Sequence, residues 1–234
     1  MSMNACSVPQ RSNRLPLILL SLLTPVLVLT FIYCRAGRLN WLLEVGPALI
    51  AFLVLALSYR RMPLSDFCYL CVFLHTLILV YGGYYTYAAT PLGDWAKGVF
   101  HLSRNHYDRV GHLALGFFPV CIIKEVLLRV TPLQRGGWFT FLVLSVVLAS
   151  AAAYELIEWW STYLVAPDVG LAFLGSQGDP WDAQWDMFLG LIGGAAGLLL
   201  LGRVHDRSMM RLLADDRLLR EAATGATRPE KNNS

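Results

Sequence analysis

Three short stretches of this chain place ionisable side chains at helical spacing on the edges of long apolar runs. Asp108 and His112 stand four residues apart, Glu155 and Glu158 three apart, and Asp182 and Asp186 four apart. On α-helices each pair shares one face. Five carboxylates and an imidazole gathered in a desolvated space repel one another unless something neutralises them. There are three ways: some carboxyls keep their protons, Arg104 and Arg109 pair with them, or a divalent cation binds. A cation also supplies a Lewis acid or a reactive water, and mixed carboxylate and imidazole ligation suits Zn, Mn or Fe. Glu155, Glu158, Asp186 and His112 are the candidate metal ligands. The same four with Asp182 are the candidate acid/base groups. Asp108, Arg109, Gln177, Asp179, Trp181 and Gln184 are candidates for holding a substrate, Arg109 being suited to an anionic head group. Plainer roles stand beside these. Asp108, Asn105 and Asp182 are residue types that cap helices, His112 can be a structural hydrogen-bonding residue, and 177–179 can be a turn shaped by Gly178 and Pro180. Glu155 and Glu158 have no capping role, and a carboxylate inside a lipid-embedded helix is costly, which makes them the strongest candidates.

The elements that must position these groups are membrane spans. The chain is 56% hydrophobic and only 15% charged, with a mean hydropathy of +0.51, whereas a soluble domain is about 25% charged. Six apolar runs approach the roughly 20 residues a spanning helix needs: 15–33, 41–59, 67–87, 108–128, 138–163 and 184–201. The expected fold is all-α, a polytopic helical membrane protein of about six spans within residues 1–205. A cytoplasmic tail over 206–234 is expected to begin as an amphipathic helix and end disordered. The first run is longer than a signal-peptide core and reads as a retained span. The five cysteines form no disulfide framework. Cys68, Cys71 and His75 have helical spacing that hints at metal, although thiols in an apolar helix more commonly pack.

Lys and Arg collect in cytoplasmic loops. With the N-terminus inside, that side receives Arg11, Arg14, Arg60, Arg61, Lys124, Arg129, Arg135 and seven basic residues from Arg203 onward, and the other receives only Arg35, Arg38, Lys97, Arg104 and Arg109. Both termini are therefore expected in the cytoplasm, and the basic residues are topogenic, with no nucleic-acid partner. This orientation puts all three acidic stretches at the extracytoplasmic ends of spans four, five and six, where they can converge. Trp41, Trp95, Trp159, Trp160, Trp181 and Trp185 fall at the same level, as an interfacial belt or as walls of a binding surface. The loop 88–106 is expected to form a short surface helix or a lid. Spans one to three, with Glu44, Asp66 and His75 their few ionisable groups, read as scaffold. Gly190, Gly193, Gly194 and Gly197 in span six, and Ser145 with Ala149, Ser150, Ala151, Ala152 and Ala153 in span five, suit close helix contact.

Y-D-R-x-G-H at 107–112, Y-E-x-x-E-W-W at 154–160 and G-S-Q-G-D-P-W-D-A-Q-W-D-M at 175–187 resemble the YjdF-like bacterial inner-membrane proteins across roughly residues 15–205. That resemblance implies fold and an inner-membrane location but no activity. More remotely, the pattern is similar to VanZ-like proteins, associated with resistance to lipoglycopeptide antibiotics. Their Asp-x-x-x-His falls on Asp108 and His112, their Glu-x-x-Gln on Glu155 and Glu158, and their Asp-x-x-x-Asn on Asp186 and Gly190, so Glu and Gly replace Gln and Asn here. The leading expectation is a site acting on a lipid or lipid-linked envelope substrate by hydrolysis or transfer, with the bilayer as its surroundings. A binding or accessory protein is the alternative. No G-x-S-x-G nucleophile motif occurs. A transport path is disfavoured because the cytoplasmic halves of the spans offer almost no polar group besides His75.

Overall fold

A computed structural model describes residues 14–165, 170 and 174–224. Arg11, Cys6 and the disorder expected near the C-terminus lie outside the described residues. Among the described residues, five helices are long and apolar enough to cross a membrane: α1 (Arg14–Tyr33), α2 (Arg38–Ser58), α3 (Asp66–Tyr85), α7 (Gly137–Leu164) and α8 (Asp182–Thr224). The short α4 (Pro91–Phe100) follows a single 3-10 turn, Tyr87–Ala89. It is the surface helix expected in the loop after span three. Between α4 and α7 lie two half-length helices, α5 (Tyr107–Phe117) and α6 (Val120–Val130).

Two elements differ from the sequence expectation. The fourth span, expected unbroken over 108–128, divides at Phe118 and Pro119, because proline lacks an N–H and its ring crowds the carbonyl a turn earlier. The break is stitched by Phe118 N–H to Ala114 O and Ile123 N–H to Pro119 O. The last helix does not stop near residue 201 but runs for 43 residues without interruption. At 1.5 Å per residue it is about 65 Å long, twice the hydrocarbon thickness. Its lower half is no separate tail: Met209 and Leu212 are buried, and Asp206 pairs with Lys124 and Arg135.

Close packing of α5 against α8 explains the glycine pattern. A Cβ on Gly193 would lie 2.0 Å from Leu113 O, and one on Gly116 would lie 1.8 Å from Gly190 O. Backbones this near need small residues on both sides, the usual way helices associate in lipid. Gly190 also faces Ala151 of α7. The buried stripe of α7 is Val143, Val147, Ala151, Tyr154, Glu155 and Glu158, at three- and four-residue spacing. Of the small residues expected at that interface, Ala151 is buried while Ala149, Ser150 and Ala153 face outward. Around this centre, α1 and α2 pack on α3. Large apolar side chains such as Leu17, Leu57 and Leu199 remain on the outside, as lipid contact requires.

Candidate functional site

The starts of α5 and α8 and the upper part of α7 meet at one end of the bundle. Asp108 and His112 come from α5, Glu155 and Glu158 from α7, and Asp182 and Asp186 from α8, and all six are at most 9% exposed. His112 Nε2 lies 3.3 Å from Glu155 Oε1 and 3.6 Å from Asp108 Oδ1. Its ring stands edge-on to Tyr154, with 5.6 Å between centroids. The donor atoms fall into three overlapping sets, Asp108/His112/Glu158, His112/Glu155/Asp186 and Asp108/Asp182/Asp186, each spanning no more than 4.8 Å. The three acidic stretches therefore form a single nest, and the glycine-mediated approach of α5 to α8 is what closes it.

The charges in this nest do not balance. Arg104 Nη1 lies 2.6 Å from Asp182 Oδ1 and also donates to Ser176 O at 2.7 Å. Arg109 does not enter: it pairs with Asp179 at 2.7 Å and lies over the Trp185 ring. Asp108, Glu155, Glu158 and Asp186 have no Lys or Arg partner among the described residues. Glu158 Oε1 and Asp186 Oδ1 are buried with no hydrogen-bond partner among those residues. Isolated ionised carboxylates are not left uncompensated at such burial. Protons or a cation must supply the missing positive charge, and the donor set of carboxylates and one imidazole fits a divalent ion.

The other candidates brace the nest or stand outside it. Gln177, at φ 47°, clasps the main chain of Asn105: its Nε2 donates to Asn105 O at 2.8 Å and its Oε1 accepts from Asn105 N–H at 3.2 Å. Asn105 in turn accepts from Tyr107 N–H, serving the first turn of α5, and donates to Thr90 O and Asp94. Asp179 accepts from Trp181 N–H at 3.0 Å, an Asx turn just before α8. Trp181 is 64% exposed and Gln184 is exposed, so neither faces the nest. His106, at the mouth, is held below the usual histidine range by partial burial and by Arg109 and Arg104. Of the tryptophans at this end, Trp95, Trp159, Trp160, Trp181 and Trp185 are exposed and Trp41 is buried.

Glu44, expected as part of the scaffold, lies close to the nest instead. It is fully buried, hydrogen-bonded by Asn40 and Thr86, and within electrostatic range of Asp108 and Glu158. Its spacing of four from Asn40, on an otherwise apolar helix, is the signal that could have found it. The opposite end is also more polar than expected. Glu125, His205 and Lys124 are buried there, while His75 stacks on Phe118.

Residues 15–207 match a family described as "Predicted membrane protein (DUF2238)". This chain belongs to that DUF2238 family. It is 41% identical over 193 residues to inner membrane protein YjdF of Escherichia coli (strain K12), covering 80% of this chain and 92% of that protein. No solved structure matches. The DUF2238 match takes in the whole nest, with Arg104 inside it and Arg109 beside it. The chain is thus a YjdF-like protein with several membrane spans.

Proposed function

We propose that this protein is a bacterial inner-membrane enzyme whose acidic nest holds a divalent cation and acts on an anionic lipid or lipid-linked envelope substrate by hydrolysis or group transfer. The observation that carries this is the uncompensated charge: five buried carboxylates meet one histidine and one arginine. His112, Glu155, Glu158, Asp108 and Asp186 would hold the cation, which when bound supplies an activated water or a Lewis acid. Asp182 stays anchored to Arg104. Arg104 has Nε and Nη2 buried without partners among the described residues, and these point to it as the group that holds an anionic oxygen. The basic residues at the opposite end support an orientation with both termini in the cytoplasm, so the nest would face the outer leaflet.

Purified protein in vesicles is to be given Mn(II) and a panel of anionic and lipid-linked phosphates and esters, with product release followed for the parent and Glu158→Gln. Release that falls at least 100-fold in Glu158→Gln supports the reading. Binding of one of these lipids without turnover by the parent protein favours the accessory role instead, and neither binding nor turnover across the panel overturns the substrate class.

A further inference from the structure

At the end of the bundle away from the nest, three side chains of different chemistry from three helices meet at one point. Cys68 belongs to the first turn of α3, Glu125 to α6 and His205 to the lower half of α8, and each is 0% exposed. Cys68 Sγ lies 3.4 Å from Glu125 Oε2 and 3.5 Å from His205 Nε2, and the Glu125 Oε2 to His205 Nε2 distance is 3.1 Å. We propose that Cys68, Glu125 and His205 are the protein ligands of a second metal site, for a borderline divalent ion of the Zn(II) class, which ties α3, α6 and α8 together.

The geometry argues for an ion at the centre of this triangle. Tetrahedral Zn(II) with thiolate at about 2.3 Å and nitrogen or oxygen at about 2.0–2.2 Å has ligand-to-ligand edges of about 3.4–3.6 Å. The three edges seen here need to open by a few tenths of an ångström at most. Glu125 is held as a metal-bound carboxylate is held. Its Oε1 accepts from Ser65 N–H at 2.9 Å and from Arg129 at 2.8 Å, which leaves Oε2 aimed at the thiol and the imidazole. Such outer partners fix a ligand's orientation. Arg129 is itself held by Pro63 O. His205 leans on the Phe67 ring, and Phe67 N–H donates to Ser208 Oγ one turn further along α8. Thiolate with imidazole selects Zn(II) over Mg(II) or Ca(II), and one position stays open for water. This site shares no residue with the nest and does not depend on its function.

The test uses the full chain in detergent, stripped with a chelator and reloaded with Co(II), which gives a thiolate-to-cobalt charge-transfer band only where a cysteine binds. The parent and Asp186→Asn are expected to show the band, Cys68→Ser to lose it with about one metal equivalent fewer per chain, and Cys71→Ser, a neighbouring thiol outside the triangle, to keep it. A parent protein without the band overturns the site, whatever the folding of the variants. So does a band that survives Cys68→Ser or vanishes in Cys71→Ser.

Discussion

Arg104 gives the sharpest test of how the nest is held together. It is 6% exposed, lies 2.6 Å from Asp182 and 3.7 Å from Asp179, and hydrogen-bonds Ser176 O. Arg104→Met keeps much of the volume and removes the charge. The perturbation leaves Asp182 buried with no cation while its neighbours Asp108 and Asp186 already share its space. Breaking one partner out of a buried ion pair costs about 3–5 kcal/mol. At about 2–4 °C per kcal/mol for a chain of this size, the midpoint should fall by about 6–20 °C. Asp182→Asn in the same background should recover part of that loss, with a coupling of about 1–3 kcal/mol across the double-mutant cycle. Thermal unfolding in detergent, followed by helical circular dichroism, reads all three variants. A change below about 1 kcal/mol in Arg104→Met is the behaviour of a solvated surface pair, and it would refute the claim that this arginine compensates the buried Asp182.

Gly116→Ala should disrupt the contact of α5 with α8, since the new Cβ would lie 1.8 Å from Gly190 O. The cost should exceed the ~1–3 kcal/mol of ordinary overpacking and appear as lost monodisperse protein in size-exclusion chromatography. Gln177→Ala removes two hydrogen bonds to the Asn105 main chain and should cost about 1–3 kcal/mol in the same unfolding assay, while Gln184→Ala, on an exposed position, should cost less than about 0.5 kcal/mol. Lys124→Met strips the buried partner from Asp206 and Gly202 O. It should loosen the lower part of α8, visible as faster amide exchange there with little change around Asp186. Cation binding to the nest should weaken as pH falls, because carboxylates and imidazole must shed protons to bind, and titration calorimetry at two pH values reads the change.

How much was legible follows from which residues advertise themselves. A run of about 20 apolar residues is demanded by the bilayer, so α1, α2, α3 and α7 stand out within a few residues of their observed ends. The pairs at Asp108/His112, Glu155/Glu158 and Asp182/Asp186 were legible because ionisable groups are rare on such helices. Pro119 was visible too, but apolar residues on both sides of it read as one span, and only the local geometry shows two helices. The tail after Arg203 was legible as a helix, but that it continues α8 without a break and stays packed in the bundle was hidden, because a helix leaving the membrane changes composition without changing conformation. Arg104 sits in a connection, where arginines ordinarily point to solvent, and nothing local announces that Asp182 will lie 2.6 Å away. Cys68, Glu125 and His205 are separated by 57 and 80 residues. Cys68 stood out only with Cys71 and His75, nothing local joins it to Glu125 or His205, and Lys124 and Arg129 beside them read as topogenic charges while being tied inside the bundle.

The central claim is that Asp108, His112, Glu155, Glu158 and Asp186 together bind one divalent cation while Asp182 stays with Arg104, and Mn(II) titration followed by electron paramagnetic resonance measures this directly. In a Cys68→Ser background, so that only the nest is read, one tight Mn(II) per chain is predicted, weakened at least tenfold by either Glu158→Gln or Asp186→Asn. Equal Mn(II) affinity in the background protein and in both of those variants would contradict it.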